Sequence, residues 1–194
     1  MPIEKEEILS EKETTSSLNE YIEYVEKLAS TMENEVFFNS GPTHASIVMS
    51  RIFKYSNKTV KIFCGGFNGD VSNDPTYLKY AEEFLNKSDT KLIAIVENDL
   101  TANSNSMIFD VLKNYKDKVS IYNTNARIKY SSDSNADKFI HFAIGDDKML
   151  RVETGIEEYV AQVNFGDVEE TKIYVDLFNQ LLDTNPTKIE LQTN

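Results

Sequence analysis

The feature that most constrains the fold is an alternation of strand-like and helix-like segments between residues 35 and 122. Glu35–Asn39 (EVFFN), Thr59–Cys64 (TVKIFC), Lys91–Val96 (KLIAIV) and Val119–Tyr122 read as strands, rich in β-branched and aromatic residues. KLIAIV is nearly continuous in apolar character, which suits a strand covered on both faces. Helical periods separate these runs. Ala45, Ile47, Val48, Ile52 and Phe53 mark one apolar face, and Tyr77, Leu78, Ala81, Phe84 and Leu85 a second. Met107, Ile108, Val111, Leu112 and Tyr115 mark a third, within a helix over residues 106–115. Asp74-Pro75 opens the middle helix, with Asp as cap and Pro in the first turn. Three strand–helix–strand passages in succession argue for a parallel or mostly parallel sheet with right-handed crossovers.

The ends differ from this body. Leu18, Tyr21, Ile22, Val25, Leu28 and Met32 recur at spacings of three and four, predicting a helix from about Ser17. Ser16 or Ser17 would cap it, with Glu20 completing a capping box. Residues 1–16 are polar and read as frayed or loosely helical. After the fourth strand, Asn123–Lys138 reads as a long loop. Phe139–Ile144, Leu150–Glu153 and Val160–Phe165 then follow as closely spaced strands, with Asp146-Asp147 as the first hairpin turn. A helix over Val168–Leu182 stops before Asn185-Pro186, and the rest reads as a loose tail. The expected organisation is an acidic helical extension at 1–33, an α/β domain at 34–184 and a tail at 185–194.

Charge narrows the function classes. The chain carries 20 Lys and Arg against 32 Asp and Glu, a net of −12 over 194 residues. Residues 1–35 hold three lysines and ten glutamates and account for −7 of it; the body carries −5. Duplex nucleic acid would be repelled by the whole chain, yet a local basic patch on the body would meet little opposition. No run of 18 apolar residues exists, so no membrane partner is expected. Cys64 is the one cysteine, which excludes an internal disulfide and a multi-cysteine zinc site. It reads as a strand residue in a reducing cytoplasm.

The chemistry-bearing residues are few. His141 lies in an apolar strand, where His141 and Ala143 face one side and Phe142 and Ile144 the other. It is either a hydrogen-bonded core histidine or a functional one. Arg151 and Glu153, two apart on the next strand, share a face. A His141–Glu153–Arg151 cluster follows if that face is the histidine's. The cluster is either a pocket for a small polar ligand or a structural ion pair. His44 starts the helix after Ser40-Gly41-Pro42-Thr43, at a positive helix end where an anion could bind, with helix initiation as the plainer reading. The loop Gly65-Gly66-Phe67-Asn68-Gly69 and the segment Glu97-Asn98-Asp99 both follow strands, at the sheet end where ligands of α/β proteins bind. Neither loop is a dinucleotide fingerprint or a Walker loop, so no cofactor is expected. No histidine spacing suggests a metal.

The run His141-Phe142-Ala143-Ile144-Gly145-Asp146, then Met149–Glu153, then Val163-Asn164-Phe165 and a closing helix, resembles the second part of a phospholipase D-like domain. The resemblance spans roughly residues 35–183. It implies an α/β fold with a mixed, mostly parallel sheet and helices on both faces, which here would follow the N-terminal helical extension. In that family a histidine attacks phosphorus while a lysine two residues on and a downstream asparagine hold the phosphoryl oxygens. Here Ala143 stands where the lysine is expected, and Arg151–Gly155 where the family has Gly-Ser and Asn. The resemblance therefore implies a degenerate, single-motif member acting as a binding or assembly module. A phosphodiesterase or nuclease using His141 across a homodimer is the alternative, and a small-ligand-binding regulatory α/β protein a second one. Single-motif members pair their histidines, so a homodimer is expected, and a protein partner is compatible. Arg127 and Lys129 are the cations that order along the chain places nearest His141.

Overall fold

The structure, a computed structural model, describes residues 3–67, 69–97, 106–130 and 138–191, with the backbone alone for residues 3–16 and 138. Asn68, Asn98 and Asp99 lie outside the described residues. In chain order the elements are α1 (Ile3–Thr31), β1 (Phe37–Asn39), α2 (Gly41–Tyr55), β2 (Thr59–Cys64), α3 (Gly69–Ser72), α4 (Pro75–Asn86), β3 (Lys91–Val96) and α5 (Ile108–Leu112). A 3-10 turn, Lys113–Tyr115, extends α5. There follow β4 (Val119–Asn123), β5 (Lys129–Tyr130), β6 (Lys138–Phe139), β7 (His141–Gly145), β8 (Met149–Gly155), β9 (Val160–Asn164), α6 (Val168–Asp183) and β10 (Thr187–Ile189).

Eight strands form one sheet in the order β1-β9-β8-β7-β2-β3-β4-β10. The sheet is mixed, as expected, but its parallel part is confined to β2–β3 and β3–β4. All other neighbours are antiparallel. This corrects the expectation of a mostly parallel sheet. The hairpin strands β7, β8 and β9 insert between β1 and β2, so the crossover through α2 joins two strands that do not touch. Four antiparallel pairings in succession still leave β1 and β2 pointing the same way.

The two faces bury separate cores. On one, α1, α2, α4 and α5 cover Val60, Ile62, Leu92, Ala94 and Ala143 with side chains such as Val25, Ile52, Phe84 and Leu112. On the other, Phe178 and Leu181 of α6 pack on Phe63, Ile95, Phe142, Ile144 and Val152. The alternation anticipated for β7 is observed, with Ala143 in the first core and Phe142 and Ile144 in the second.

Local chemistry explains the joints. Asp74 caps α4, accepting from the N–H groups of Thr76 at 2.8 Å and Tyr77 at 2.9 Å, with Pro75 in the first turn. Asp167 caps α6 through the Glu170 N–H. Helix α1 begins at Ile3, so the cap expected at Ser16 or Ser17 is not formed. It ends in a Schellman turn, with Met32 at φ 50° and the Glu33 N–H donating to the Leu28 carbonyl. Glu26 ties α1 to α2 by accepting from Arg51, Lys54 and Tyr55. Val25, Leu28 and Ala29 are core residues, so the last turns of α1 pack into the α/β body.

Two further segments differ from expectation. The long loop contains β5 and β6, which pair with each other. The expected loose tail contains β10, an edge strand paired with β4. A two- or three-residue strand has too few positions for alternation to show; its partner decides it.

Candidate functional site

Strand register assembles the site. His141 opens β7 and lies opposite Glu153 of β8, which lies opposite Ala161 of β9, which lies opposite Asn39 of β1. One row of cross-strand partners thus spans four strands. The other side of β7 is β2, which ends at Cys64, and Val96 pairs with Cys64 across β2 and β3. Glu97 follows Val96 directly. The row therefore runs along the carboxyl ends of the parallel strands, where an open α/β sheet leaves a crevice.

Both nitrogens of His141 meet a carboxylate. Nδ1 is 3.4 Å from Glu153 Oε2, and Nε2 is 3.3 Å from Glu97 Oε2. Both contacts are hydrogen bonds only when the ring carries both protons, as an imidazolium. Burial alone would lower the His141 pKa; the bonds to Glu153 and Glu97 outweigh it, and the pKa is raised above 6.5. Burial would likewise raise that of Glu153, but His141 and Arg151 hold it below 4.5. Arg151 Nη2 donates to Glu153 Oε1 at 2.8 Å and its Nε to Asn39 Oδ1 at 3.1 Å. Asn39 Nδ2 in turn donates to the Tyr159 carbonyl. His141, Arg151, Glu153 and Asn39 are all buried.

The cleft above this row has two lobes. The larger, about 600 Å³, is lined by Phe67, Met49, Tyr77 and Ile156 together with His141, Arg151 and Glu153. Its far wall carries a small polar net, with Ser72 Oγ 2.7 Å from Ser106 Oγ and Ser106 donating to Asn73 Oδ1. The smaller, about 400 Å³, holds Glu97, Thr124, Asn125 and Arg127. Gly65, His141 and Ile156 line both lobes.

The cluster expected of His141, Glu153 and Arg151 is thus brought together. His44 stands apart from it, half-buried at the start of α2, its ring 4.1 Å from that of Tyr21. The cleft takes Ala45 and Met49 from α2 instead. The turn at Gly41, which has φ +79°, starts the helix, and its N–H donates to the Glu158 carbonyl. Arg127 reaches the smaller lobe with its Nε 3.6 Å from Glu97 Oε2, and its guanidinium lies 3.7 Å from the Phe139 ring centre. Lys129 is exposed on β5 and does not line the cleft. Cys64 lines the larger lobe, and burial pushes its thiol up to about 12, so it stays protonated and unreactive. The partners Asn39 and Glu97 carried one legible signal, since Asn39 ends β1 and Glu97 directly follows β3 at the same end of the sheet. Among the described residues, no group of three or more His, Cys, Asp or Glu could hold a metal. No described helix is long and apolar enough to cross a membrane.

No family model and no curated protein matches the sequence. Solved structures do resemble it. One is the archaeal chromatin protein TrmBL2, whose structure shows a novel mode of DNA binding. It has 15% identity and a TM-score of 0.55, over 95% of this chain and 66% of that one, so the chain spans just under two thirds of it. Another is NucT from Helicobacter pylori, with 15% identity and a TM-score of 0.53, over 80% of this chain and 99% of that one. Identities this low speak for the fold alone. With its mixed eight-stranded sheet, helices on both faces and a crevice at the strand ends, the chain has a phospholipase D-like α/β fold.

Proposed function

We propose that the chain is a degenerate, non-catalytic phospholipase D-like domain that acts as a binding module, with the two-lobed cleft as its ligand site. The observation that carries this reading is the bracketing of His141 by Glu97 and Glu153. A histidine attacks phosphorus through a ring-nitrogen lone pair. With a proton held toward each carboxylate, neither nitrogen offers one. Phosphoryl transfer also needs cations placed around the spreading negative charge. Ala143 provides none. Arg151 is engaged by Glu153 and Asn39, and Arg127 faces Glu97. Two carboxylates at the histidine would repel a phosphate diester instead. What survives is a concave, partly apolar cavity with a few converging polar groups, which is the usual form of a small-molecule site.

A hydrolysis assay with bis-p-nitrophenyl phosphate tests the reading on the wild-type chain and His141→Ala. Equal background rates are expected. Hydrolysis by the wild type that disappears in His141→Ala would overturn the non-catalytic assignment.

A further inference from the structure

The carboxylates of the cleft are not equally satisfied. Glu153 has both oxygens engaged, Oε1 by Arg151 and Oε2 by His141. Glu97 has Oε2 facing His141 and Arg127, while its Oε1 is buried without a hydrogen-bond partner. The Glu97 side chain is only 9% exposed, and it lines the smaller lobe. An unmet buried acceptor of this kind is destabilising. The unmet group is an anion, and the nearest guanidinium, Arg127, is half exposed and 3.6 Å from the opposite oxygen. Arg151, the buried cation, is already spent on Glu153.

We propose that the cleft binds a small organic amine as its ammonium ion, which donates N–H to Glu97 Oε1 while its apolar body lies in the larger lobe beside Ile156 and Phe67. The inference rests on the binding-module reading and names its ligand class. Charge and shape both support it. An anionic ligand would add a third negative charge beside Glu97 and Glu153, with no unpaired buried cation among the described residues to meet it. A neutral hydroxyl would satisfy Oε1 but add no positive charge, leaving the compensation of Glu97 to His141 and Arg127. Ile156 and Gly65 line both lobes, so a head group at Glu97 continues directly into the larger one.

The same geometry links binding to a proton. His141 meets Glu153 from β8, which is itself held by Arg151, and Glu97 from the end of β3, which also faces Arg127; Cys64, at the end of β2, lines the same lobe. An ammonium ion on Glu97 takes over the charge compensation that the imidazolium supplies in the empty site. Binding therefore releases the His141 proton, and affinity rises with pH until the ligand itself loses its proton.

The test titrates wild type and Glu97→Gln by NMR with three probes of similar shape: phenethylamine, phenethyl alcohol and phenylpropanoate. Phenethylamine should bind the wild type at least about tenfold tighter than either of the others, and Glu97→Gln should lose about that factor. Its affinity for the wild type should rise by up to about tenfold per pH unit while His141 is protonated, the limit for one released proton. Tighter binding of the alcohol or the acid, an unchanged amine affinity in Glu97→Gln, or binding of none of the three would overturn the amine assignment. None of these touches the non-catalytic reading. That falls separately, to His141-dependent hydrolysis, whichever probe binds.

Discussion

Replacing Arg151 by Met is the sharpest test of how the polar row is held. The guanidinium is 7% exposed and makes three contacts: Glu153 Oε1 at 2.8 Å, Asn39 Oδ1 at 3.1 Å and the Tyr159 carbonyl at 3.4 Å. Methionine fills much of the same volume but leaves Glu153 Oε1 and Asn39 Oδ1 without donors. Breaking a buried ion pair from one side costs about 3–5 kcal/mol, because the remaining charge is stranded. Here the cost falls at the lower end, about 3 kcal/mol, while His141 is protonated and still neutralises Glu153 through Oε2. Above the histidine's titration that help is gone and the penalty grows. In a chain of this size each kcal/mol lowers Tm by about 2–4 °C, so about 6–12 °C is expected where His141 is charged. Thermal melts and urea unfolding followed by circular dichroism would read it, once below 6.5 and again at a pH above the raised His141 value. The denaturant slope should not change, since the fold is the same. A second variant, Arg151→Met with Glu153→Leu, should regain part of the loss, because no lone anion is left on β8. An Arg151→Met chain within about 1 kcal/mol of wild type at every pH would refute a buried pair at this position.

The bracketed histidine sets a pH window of its own. A raised His141 pKa contributes stability that is full below 6.5 and is lost as pH rises through the higher folded value. A lowered Glu153 pKa contributes stability that is full above 4.5 and is lost as pH falls through the lower folded value. The joint contribution should therefore be greatest between 4.5 and 6.5, and His141→Asn should flatten the alkaline limb of a thermal-melt pH series. A wild-type limb identical to the variant's would count against the bracket. Asp146 tests the hairpin instead: its carboxylate accepts from the N–H groups of Asn57, Lys58 and Thr59 at 2.7, 2.8 and 2.9 Å. Asp146→Ala should cost about 2 kcal/mol by chemical denaturation, as expected for losing charge-assisted bonds at a partly exposed site. A cost below about 0.5 kcal/mol would show that these bonds do not hold β7 to the start of β2.

What the sequence disclosed, and what it hid, divides along range of interaction. Asp74-Pro75 announced α4 because a cap is chemistry within four residues, and KLIAIV announced β3 because burial on both faces leaves no polar alternation. The Asp146-Asp147 turn was readable on the same scale, and both residues adopt the positive φ that a tight hairpin requires. Strand order was not readable. Placing β7–β9 between β1 and β2 depends on pairing across 79 to 126 residues, from Phe63 with Phe142 to Phe37 with Val163, for which periodicity carries no information. The site shows both cases. Arg151 and Glu153 share a face by their spacing of two, and pairing β8 with β7 then brings Glu153 to His141. Glu97 is different in kind. It is a polar residue one step past a strand, and only the parallel pairing of β2 with β3 carries it to the histidine's second nitrogen. Ala143 alone argued that a cation was missing from the site. Glu97 argues something stronger, that the histidine's attacking electrons are engaged. On the proposed non-catalytic reading, a lysine placed at Ala143 should leave phosphodiester hydrolysis at background while Glu97 stays in place, and His141-dependent hydrolysis by that variant would count against the reading.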